Sequence, residues 1–181
     1  MADINMTTPS GHAASVDGPG RGEAEPIWDL IELLFFAYRD FVGDGDRVLE
    51  AYGFGRAHHR VLHFVNRNPG MKVADLLDIL KITKQSLGRV LKQLVDHGFI
   101  EQKEGESDRR QRLLYPTQKG EALALKLAGM QGARIARALA EQGPGTRDAA
   151  RRFLTAMIDP QAREDVLRLV DRPKLARLPR R

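Results

Sequence analysis

The segment from Lys81 to Gly98 constrains the fold of this chain more than any other. After Thr83 its large apolar residues are Leu87, Val90, Leu91, Leu94 and Val95. Their spacing of i, i+3, i+4, i+7 and i+8 places them on one stripe of an α-helix. Thr83 stands where an N-cap belongs, because its hydroxyl can accept a hydrogen bond from a free N–H of the first turn. Gly98 follows the last apolar turn, so we expect a Schellman motif with Phe99 folded back onto Leu94.

The opposite face of this predicted helix carries cationic and amide side chains, and we expect no acid on it. These residues are Lys84, Gln85, Gly88, Arg89, Lys92 and Gln93. Arg, Lys and Gln donate hydrogen bonds that match base edges and phosphates, so such a face suits the major groove of DNA. Because solvated helix surfaces are also commonly charged, this helix alone leaves both interpretations open.

The segment after this helix predicts a small β-hairpin. We expect a strand at residues 99–103, a charged loop at 104–110, and a returning strand at 111–115 that ends at Pro116. Residues 71–80 carry an apolar stripe and predict the first helix of a helix-turn-helix. A helix-turn-helix followed by a basic hairpin is a winged-helix pattern, so the predicted fold is mainly α with a small β-hairpin wing.

Three segments of this region resemble the MarR family of bacterial transcriptional regulators. They are TKQSLGRVLKQLVDHGFIEQ in the predicted recognition helix, SDRRQRLL in the wing and PTQKGEAL at the start of the next helix. The resemblance runs from Gly55 to Leu123, and the wing motif of an acid, one residue and an arginine is its most specific part. It implies a homodimer that binds a pseudo-palindromic double-stranded DNA operator and usually represses nearby genes. Family members often release DNA when a small aromatic or anionic effector binds.

The expected DNA contacts of the recognition helix come from its first turns, where the candidates are Thr83, Lys84, Gln85, Ser86, Arg89 and Lys92. We expect Gln85 and Arg89 to read bases, because both side chains can form bidentate hydrogen bonds to base edges. We expect Lys84 and Lys92 to bind phosphates.

The expected contacts of the wing come from Asp108, Arg109, Arg110 and Arg112. The resemblance implies that Arg110 enters the narrow minor groove and that the Asp108 carboxylate pairs with it beforehand. Arg109 and Arg112 would then contact backbone phosphates. The alternative is an ordinary exposed loop whose charges keep it soluble.

Positive charge is concentrated on the predicted DNA-binding segment and on the C-terminal tail. Residues 55–119 hold 13 basic and 7 acidic side chains, whereas residues 1–54 hold 3 and 10. Residues 172–181 hold 5 basic side chains and no acidic one. Such asymmetry favours an anionic partner for the two basic parts. For the tail, contact with the DNA backbone and a simple gain in solubility both remain open.

The N-terminal part changes character at Pro26. Residues 1–25 contain almost no large apolar residue, so we expect a disordered arm. Residues 26–42 are apolar on nearly every side, which predicts a helix buried on several sides. One small winged domain cannot cover it, so we expect a second subunit to do so; the alternative is an internal helix of a monomer core. Residues 43–55 predict a turn, interrupted by glycines, that contains a short helical or irregular piece.

The C-terminal part predicts three further helices. Thr117 caps a long first one, Thr146 caps the second, and Asp159 and Pro160 begin the third. The expected organisation is therefore a winged helix-turn-helix domain at residues 55–116, flanked by dimerisation segments at residues 26–54 and 117–171.

A small-molecule site between the first helix and the following histidine-rich helix is a further hypothesis. Its candidate residues are Trp28, Phe35, Tyr38, His58, His59 and His63. They combine apolar walls with a few polar groups, as ligand sites do, and the alternative is that they are simply core. His59 and His63 share a helix face, but two ligands do not make a metal site, so we expect no metal and no other cofactor.

The sequence also bears on other functional classes. The chain has no Cys, which excludes disulfides, thiolate metal sites and cysteine redox sensing. It shows no phosphate-binding glycine loop, nucleophile elbow or zinc-protease motif, so we expect no enzyme. We expect a cytoplasmic protein, because neither a leader nor a long apolar run is evident. Two alternatives remain: a winged-helix module for protein–protein contact, and a non-specific nucleic-acid binder without an effector.

Overall fold

The computed structural model describes residues 25–105, 108 and 110–172. Within them the chain forms seven helices and one three-stranded sheet, which confirms the predicted mainly α fold with a small wing. In chain order the elements are α1 (Trp28–Glu50), α2 (Arg56–Arg67), β1 (Met71–Lys72), α3 (Val73–Leu80), α4 (Lys84–Asp96), β2 (Ile100–Glu104), β3 (Arg112–Pro116), α5 (Gln118–Ala140), α6 (Thr146–Met157) and α7 (Pro160–Val170). The predicted disordered arm, apart from Glu25, and the basic tail, apart from Arg172, lie outside the described residues.

The recognition helix α4 begins and ends as its local sequence predicts. The Thr83 hydroxyl oxygen accepts a hydrogen bond from the N–H of Ser86 at 3.1 Å. At the other end Gly98 adopts a φ of +71°, which a side chain would disfavour. The N–H of Phe99 then donates to the carbonyl of Leu94 at 2.8 Å, and the N–H of Gly98 to that of Val95. These two bonds are those of a Schellman motif, so both predicted boundaries of α4 are confirmed.

The hydrophobic core lies between the helix-turn-helix, the sheet and the first half of α5. Its fully buried side chains are Leu49, Val61, Leu62, Val65, Leu76, Leu87, Leu94, Phe99, Ile100, Leu114 and Leu127. Four of the five apolar positions predicted for α4 are buried, whereas Val95 is 36% exposed. Truncation of a buried leucine such as Leu94 to Ala costs about 2–5 kcal/mol in proteins generally, so this core fixes which face of α4 points outward.

The sheet contains a strand that the sequence did not predict. Its order is β1-β3-β2 and both pairings are antiparallel, with Met71 opposite Leu114 and Ile100 opposite Pro116. The helix predicted at residues 71–80 is therefore wrong in its first turn, because it begins only at Val73. The N–H of Gly70, at a φ of +85°, donates to the carbonyl of Leu114 and brings β1 alongside β3.

The first helix is longer than predicted. We expected a glycine-rich connector from residue 43, but α1 continues through Gly43 and Gly45 to Glu50. A Cβ on Gly45 would lie 3.2 Å from Cε1 of His59 and 3.5 Å from a methyl group of Leu127. Gly45 thus permits α1 to pack closely against α2 and α5, and it does not interrupt the helix.

The start of α6 also differs from the prediction. Its N-cap is Gly145, in the left-handed conformation, and Thr146 is the first helical residue instead of the cap. The Thr146 hydroxyl donates to the carbonyl of Gly143 at 2.7 Å. The predicted start of α7 is confirmed, because the Asp159 carboxylate caps the N–H of Gln161 at 2.8 Å.

The described residues of one chain leave large apolar surfaces of α1, α6 and α7 uncovered. α6 and α7 contain no buried residue. The exposed side chains are Ile27, Trp28, Leu30, Ile31, Leu33, Leu34, Phe35, Phe36 and Tyr38 at α1, Phe153, Leu154 and Met157 in α6, and Val170 in α7. Within the described residues, α1 is therefore not buried as an internal core helix. Within the described residues, no helix is both long and apolar enough to cross a membrane.

Candidate nucleic-acid interface

The first two turns of α4 present polar side chains to solvent. Lys84, Gln85 and Arg89 are exposed, and within the described residues their side chains make no hydrogen bond or ion pair. The hydroxyls of Thr83 and Ser86 are hydrogen-bonded to each other at 2.9 Å as part of the helix cap. The exposed turn therefore combines two unpaired cations and a free amide with a rigid backbone.

The outer face of α4 is not free of acid, and this expectation was wrong. Asp96 lies one turn after Lys92, and its carboxylate is 2.5 Å from the Lys92 ammonium. Both side chains remain more than half exposed. Exposed pairs at this spacing contribute only about 0.3–0.5 kcal/mol, so a phosphate could displace Asp96 from Lys92.

Gln93 belongs to the site in a way that the sequence did not predict. Its Oε1 lies 2.7 Å from Nε2 of His58 on α2, although the two residues are 35 positions apart. The end of α4 is also held from α5, where the Lys119 ammonium donates to the carbonyl of His97 at 2.9 Å. The Thr117 hydroxyl donates to the carbonyl of Gly98 at 2.6 Å. No local sequence signal marks these contacts, because each joins segments that are distant in the chain.

The wing turn is organised by Asp108. Its Oδ1 accepts a hydrogen bond from the backbone N–H of Arg110 at 2.9 Å, and its backbone carbonyl accepts one from the N–H of Gln111 at 3.0 Å. We expected the carboxylate to pair with the Arg110 guanidinium, and within the described residues it accepts from the Arg110 backbone and, at 3.4 Å, from the Gln111 side-chain amide instead. Such an Asx-type contact fixes the turn itself. Arg109 lies outside the described residues.

Arg112 is paired across the hairpin. Its guanidinium donates to Oε1 of Glu104 at 2.8 Å, and the two residues are direct partners in the β2–β3 register. About half of each side chain is exposed. The ion pair therefore stabilises the hairpin only weakly and leaves Arg112 able to contact a phosphate.

The structure separates the histidines predicted for a small-molecule site. His58 stacks on Phe54, with ring centroids 4.5 Å apart, and faces α4 through Gln93. His59 faces Gly45 of α1 instead, and burial lowers its pKa below the ordinary 6.5. His63 packs edge-on against Phe64, and burial, with smaller contributions from His59 and Arg67, lowers its pKa as well.

The aromatic candidates on α1 lie away from this buried cluster. Trp28, Phe35 and Tyr38 are all more than half exposed, and the Arg56 guanidinium is 6.0 Å from the Tyr38 ring centroid. In the part of the chain that the structure describes, no three His, Cys, Asp or Glu residues are placed to hold a metal ion together.

Comparisons with known proteins agree with this architecture. A model of the MarR family matches residues 52–111. The HTH-type transcriptional regulator PetP of Rhodobacter capsulatus is 45% identical over 141 residues, which cover 78% of this chain and 85% of that protein.

Solved structures show the same fold at low sequence identity. Streptococcus pneumoniae FabT in complex with DNA superposes with a TM-score of 0.67 at 17% identity, over 78% of this chain and 99% of that one. A Mycobacterium tuberculosis MarR family protein in complex with salicylic acid superposes with a TM-score of 0.52 at 24% identity, over 73% and 96% of the two chains. Family and relatives are transcription regulators and not enzymes, and this chain belongs to the MarR family of helix-turn-helix transcriptional regulators.

Proposed function

We propose that this regulator acts as a homodimer that represses nearby genes by occupying a pseudo-palindromic operator. The observation that carries the proposal is the exposed first face of α4, where Lys84, Gln85 and Arg89 lack partners among the described residues. A rigid helix with free donors is what direct readout in the major groove needs. A winged-helix module for protein contact would instead favour an apolar or acidic face. The DNA complex of FabT, which has the same fold, supports a DNA partner.

Within the proposed interface the residues have distinct roles. Gln85 and Arg89 read bases, while Lys84 and Lys92 bind phosphates on either side. Thr83 and Ser86 lie at the helix N-terminus, where their hydrogen-bonded hydroxyls hold the backbone in place for a nearby phosphate.

The wing supplies the second part of the proposed interface. Arg110 enters the minor groove, whose negative potential favours a planar, weakly hydrated guanidinium. Asp108 contributes by holding the turn through the Arg110 backbone, which reduces the entropy that the wing loses on binding. Arg112 and Arg109 contact the flanking phosphates.

The proposed dimer is formed by residues 26–54 and 117–171, around winged domains at residues 55–116. It is supported by the apolar surfaces of α1, α6 and α7, which are too extensive for a soluble monomer. Leu33→Glu or Leu154→Glu should dissociate the dimer in sedimentation, since both residues are more than half exposed in one chain and nothing there opposes the charge. Gln142→Glu, at an exposed polar position, is the matched control. A dimer that survives both apolar substitutions would contradict this assignment.

We also propose a small aromatic or anionic effector that binds between α1 and α2 and releases the DNA. Of the candidate residues, Trp28, Phe35 and Tyr38 lie exposed on α1 and His59 faces α1. His58 instead faces α4 and His63 packs against Phe64, so these two are the weaker candidates. Support comes from the salicylic acid complex of a protein with the same fold. Calorimetry against aromatic acids, with DNA release as a second readout, tests the idea, and no heat with any of them would remove this ligand class.

The experiment that tests the operator function is selection of bound fragments from the source genome, followed by footprinting. We expect two half-sites about 10 base pairs, or a multiple of that, apart in a two-fold arrangement. Neighbouring genes would indicate the regulated pathway, and the protein should act in the cytoplasm beside the chromosome. Equal affinity for selected and scrambled duplexes would instead indicate a non-specific nucleic-acid binder.

A further inference from the structure

His58 makes two directed hydrogen bonds from one buried ring. Its Nδ1 lies 3.1 Å from the backbone nitrogen of Gly55, and its Nε2 lies 2.7 Å from Oε1 of Gln93. The residue is only 8% exposed, and its ring is within 8° of parallel to the ring of Phe54. The imidazole is therefore fixed in position from three sides.

The two partners determine where the ring carries its proton. A backbone N–H can only donate, so Nδ1 accepts from Gly55 and carries no proton. Nε2 then bears the hydrogen and donates to Oε1 of Gln93, which also fixes the orientation of the Gln93 amide. The neutral ring thus uses one nitrogen to cap α2 and the other to hold α4.

The hydrogen bond to Gln93 restricts rotation of α4 about its own axis. The buried face of α4 consists of leucine and valine side chains, whose hydrophobic contacts set which face points inward but include no directional bond that fixes the exact rotation about the helix axis. Gln93 follows Arg89 by one turn, about 6 Å along the axis and about 40° around it. A hydrogen bond at Gln93 therefore restrains the stripe of the helix that also carries Arg89.

We propose that His58 is a positioning residue that fixes the rotation of the recognition helix through its hydrogen bond to Gln93. The proposal rests on the operator reading proposed above for Arg89, and it adds a determinant of specificity that touches no DNA. A small rotation of α4 displaces the side chains at its surface. Loss of the His58–Gln93 hydrogen bond should therefore weaken recognition of the correct sequence more than general attraction to phosphates.

Two substitutions of His58 separate its two hydrogen bonds. In His58→Asn the amide oxygen takes the place of Nδ1 and can still cap α2, but nothing reaches Gln93. In His58→Gln the longer side chain places an N–H near the position of Nε2 and loses the cap. We expect His58→Asn to reduce the ratio of operator affinity to scrambled-duplex affinity by up to about fivefold, the full effect of one neutral hydrogen bond, and to lower the thermal stability no more than His58→Gln does. We expect His58→Gln to lower the thermal stability and to retain the ratio.

A double-mutant cycle with Gln93→Met, a change of similar shape without the acceptor, completes the test. Gln93 is exposed, so this variant should fold. If the bond acts as proposed, His58→Asn has no further effect on the ratio once Gln93 is Met. Additive effects, an unchanged ratio in His58→Asn, or a loss that only follows thermal stability would each overturn the proposal. Wild-type protein that binds operator and scrambled duplex equally would instead overturn the proposed operator function.

Discussion

Arg134 of α5 donates two hydrogen bonds to the same carboxylate oxygen of Asp44 on α1, at 2.8 and 3.3 Å. The residues are 90 positions apart, and Arg47 also contacts the Asp44 carboxylate. This pair joins the two long helices that we assign to dimerisation. Both residues lie outside the proposed winged domain at residues 55–116, so the pair bears on the geometry of the proposed dimer.

The Asp44–Arg134 pair predicts a pH-dependent contribution to stability. Hydrogen bonding by Arg134 lowers the pKa of Asp44 below its ordinary 3.8. A carboxyl group with a lowered pKa stabilises the fold above its unfolded value and loses that contribution as the pH falls through the folded value. We therefore expect Asp44→Asn to unfold at a lower temperature than wild type at pH 7, with a smaller difference at a pH below 3.8. A difference that is the same at both pH values would argue against the charged pair.

The lowered pKa values of His59 and His63 predict a second loss of stability as the pH falls. Burial lowers the pKa of His59 and His63, so folding favours their neutral forms. Their contribution is complete above the unfolded value near 6.5 and decreases as the pH falls toward the lowered folded values. Thermal unfolding at pH 7.5 and 5.5 should show a loss of stability on acidification that is smaller in His59→Gln. An equal loss in the variant would assign the effect to other groups.

Gly120 predicts that no side chain fits at the contact between α5 and the segment that follows the recognition helix. A Cβ at this position would lie 1.9 Å from the carbonyl oxygen of Phe99, so the backbone of one segment must move. We expect Gly120→Ala to destabilise the fold by about 1–3 kcal/mol. Gly129→Ala is the matched control in the same helix, because among the described residues nothing beyond the neighbouring backbone of α5 lies within 4 Å of the position that its methyl group would take, and the change should stabilise by about 0.4–1 kcal/mol. Denaturant unfolding of both variants checks the sign of each effect.

The success of the sequence predictions depended on whether a feature is local. Thr83 and Gly98 determine the ends of α4 through bonds to residues three to five positions away, and both ends were predictable. Gly45 was misread as a helix break, since its function depends on contact with His59 in another helix.

The missed features all depend on distant segments. β1 exists only because β3 pairs with it, and two residues carry no periodicity of their own. The His58–Gln93 hydrogen bond joins two helices in the folded state, so neither residue's neighbours indicate it. The DNA-contacting roles of the predicted residues themselves remain predictions.

Substitution of Arg110 should reduce DNA binding without reducing the stability of the fold. Its side chain is exposed, and within the described residues only its backbone is hydrogen-bonded. Arg110→Ala should weaken operator binding about tenfold or more, in line with the loss of charge-assisted contacts, while the unfolding temperature stays nearly constant. Asp108→Ala should weaken binding less, since it removes only the hydrogen bonds that hold the turn. Wild-type affinity in a folded Arg110→Ala dimer would exclude insertion of the wing arginine.

The most direct measurement compares Arg89→Ala with Lys92→Ala on the operator and on duplexes with single mismatches, over a range of salt concentrations. Arg89→Ala should cost about 1–3 kcal/mol on the operator and relax specificity at one base pair. Lys92→Ala should weaken every duplex alike and reduce the salt slope by about one unit. This result would place direct sequence readout on the exposed face of α4. If the two variants lose the same affinity on matched and mismatched duplexes, readout by this helix is contradicted.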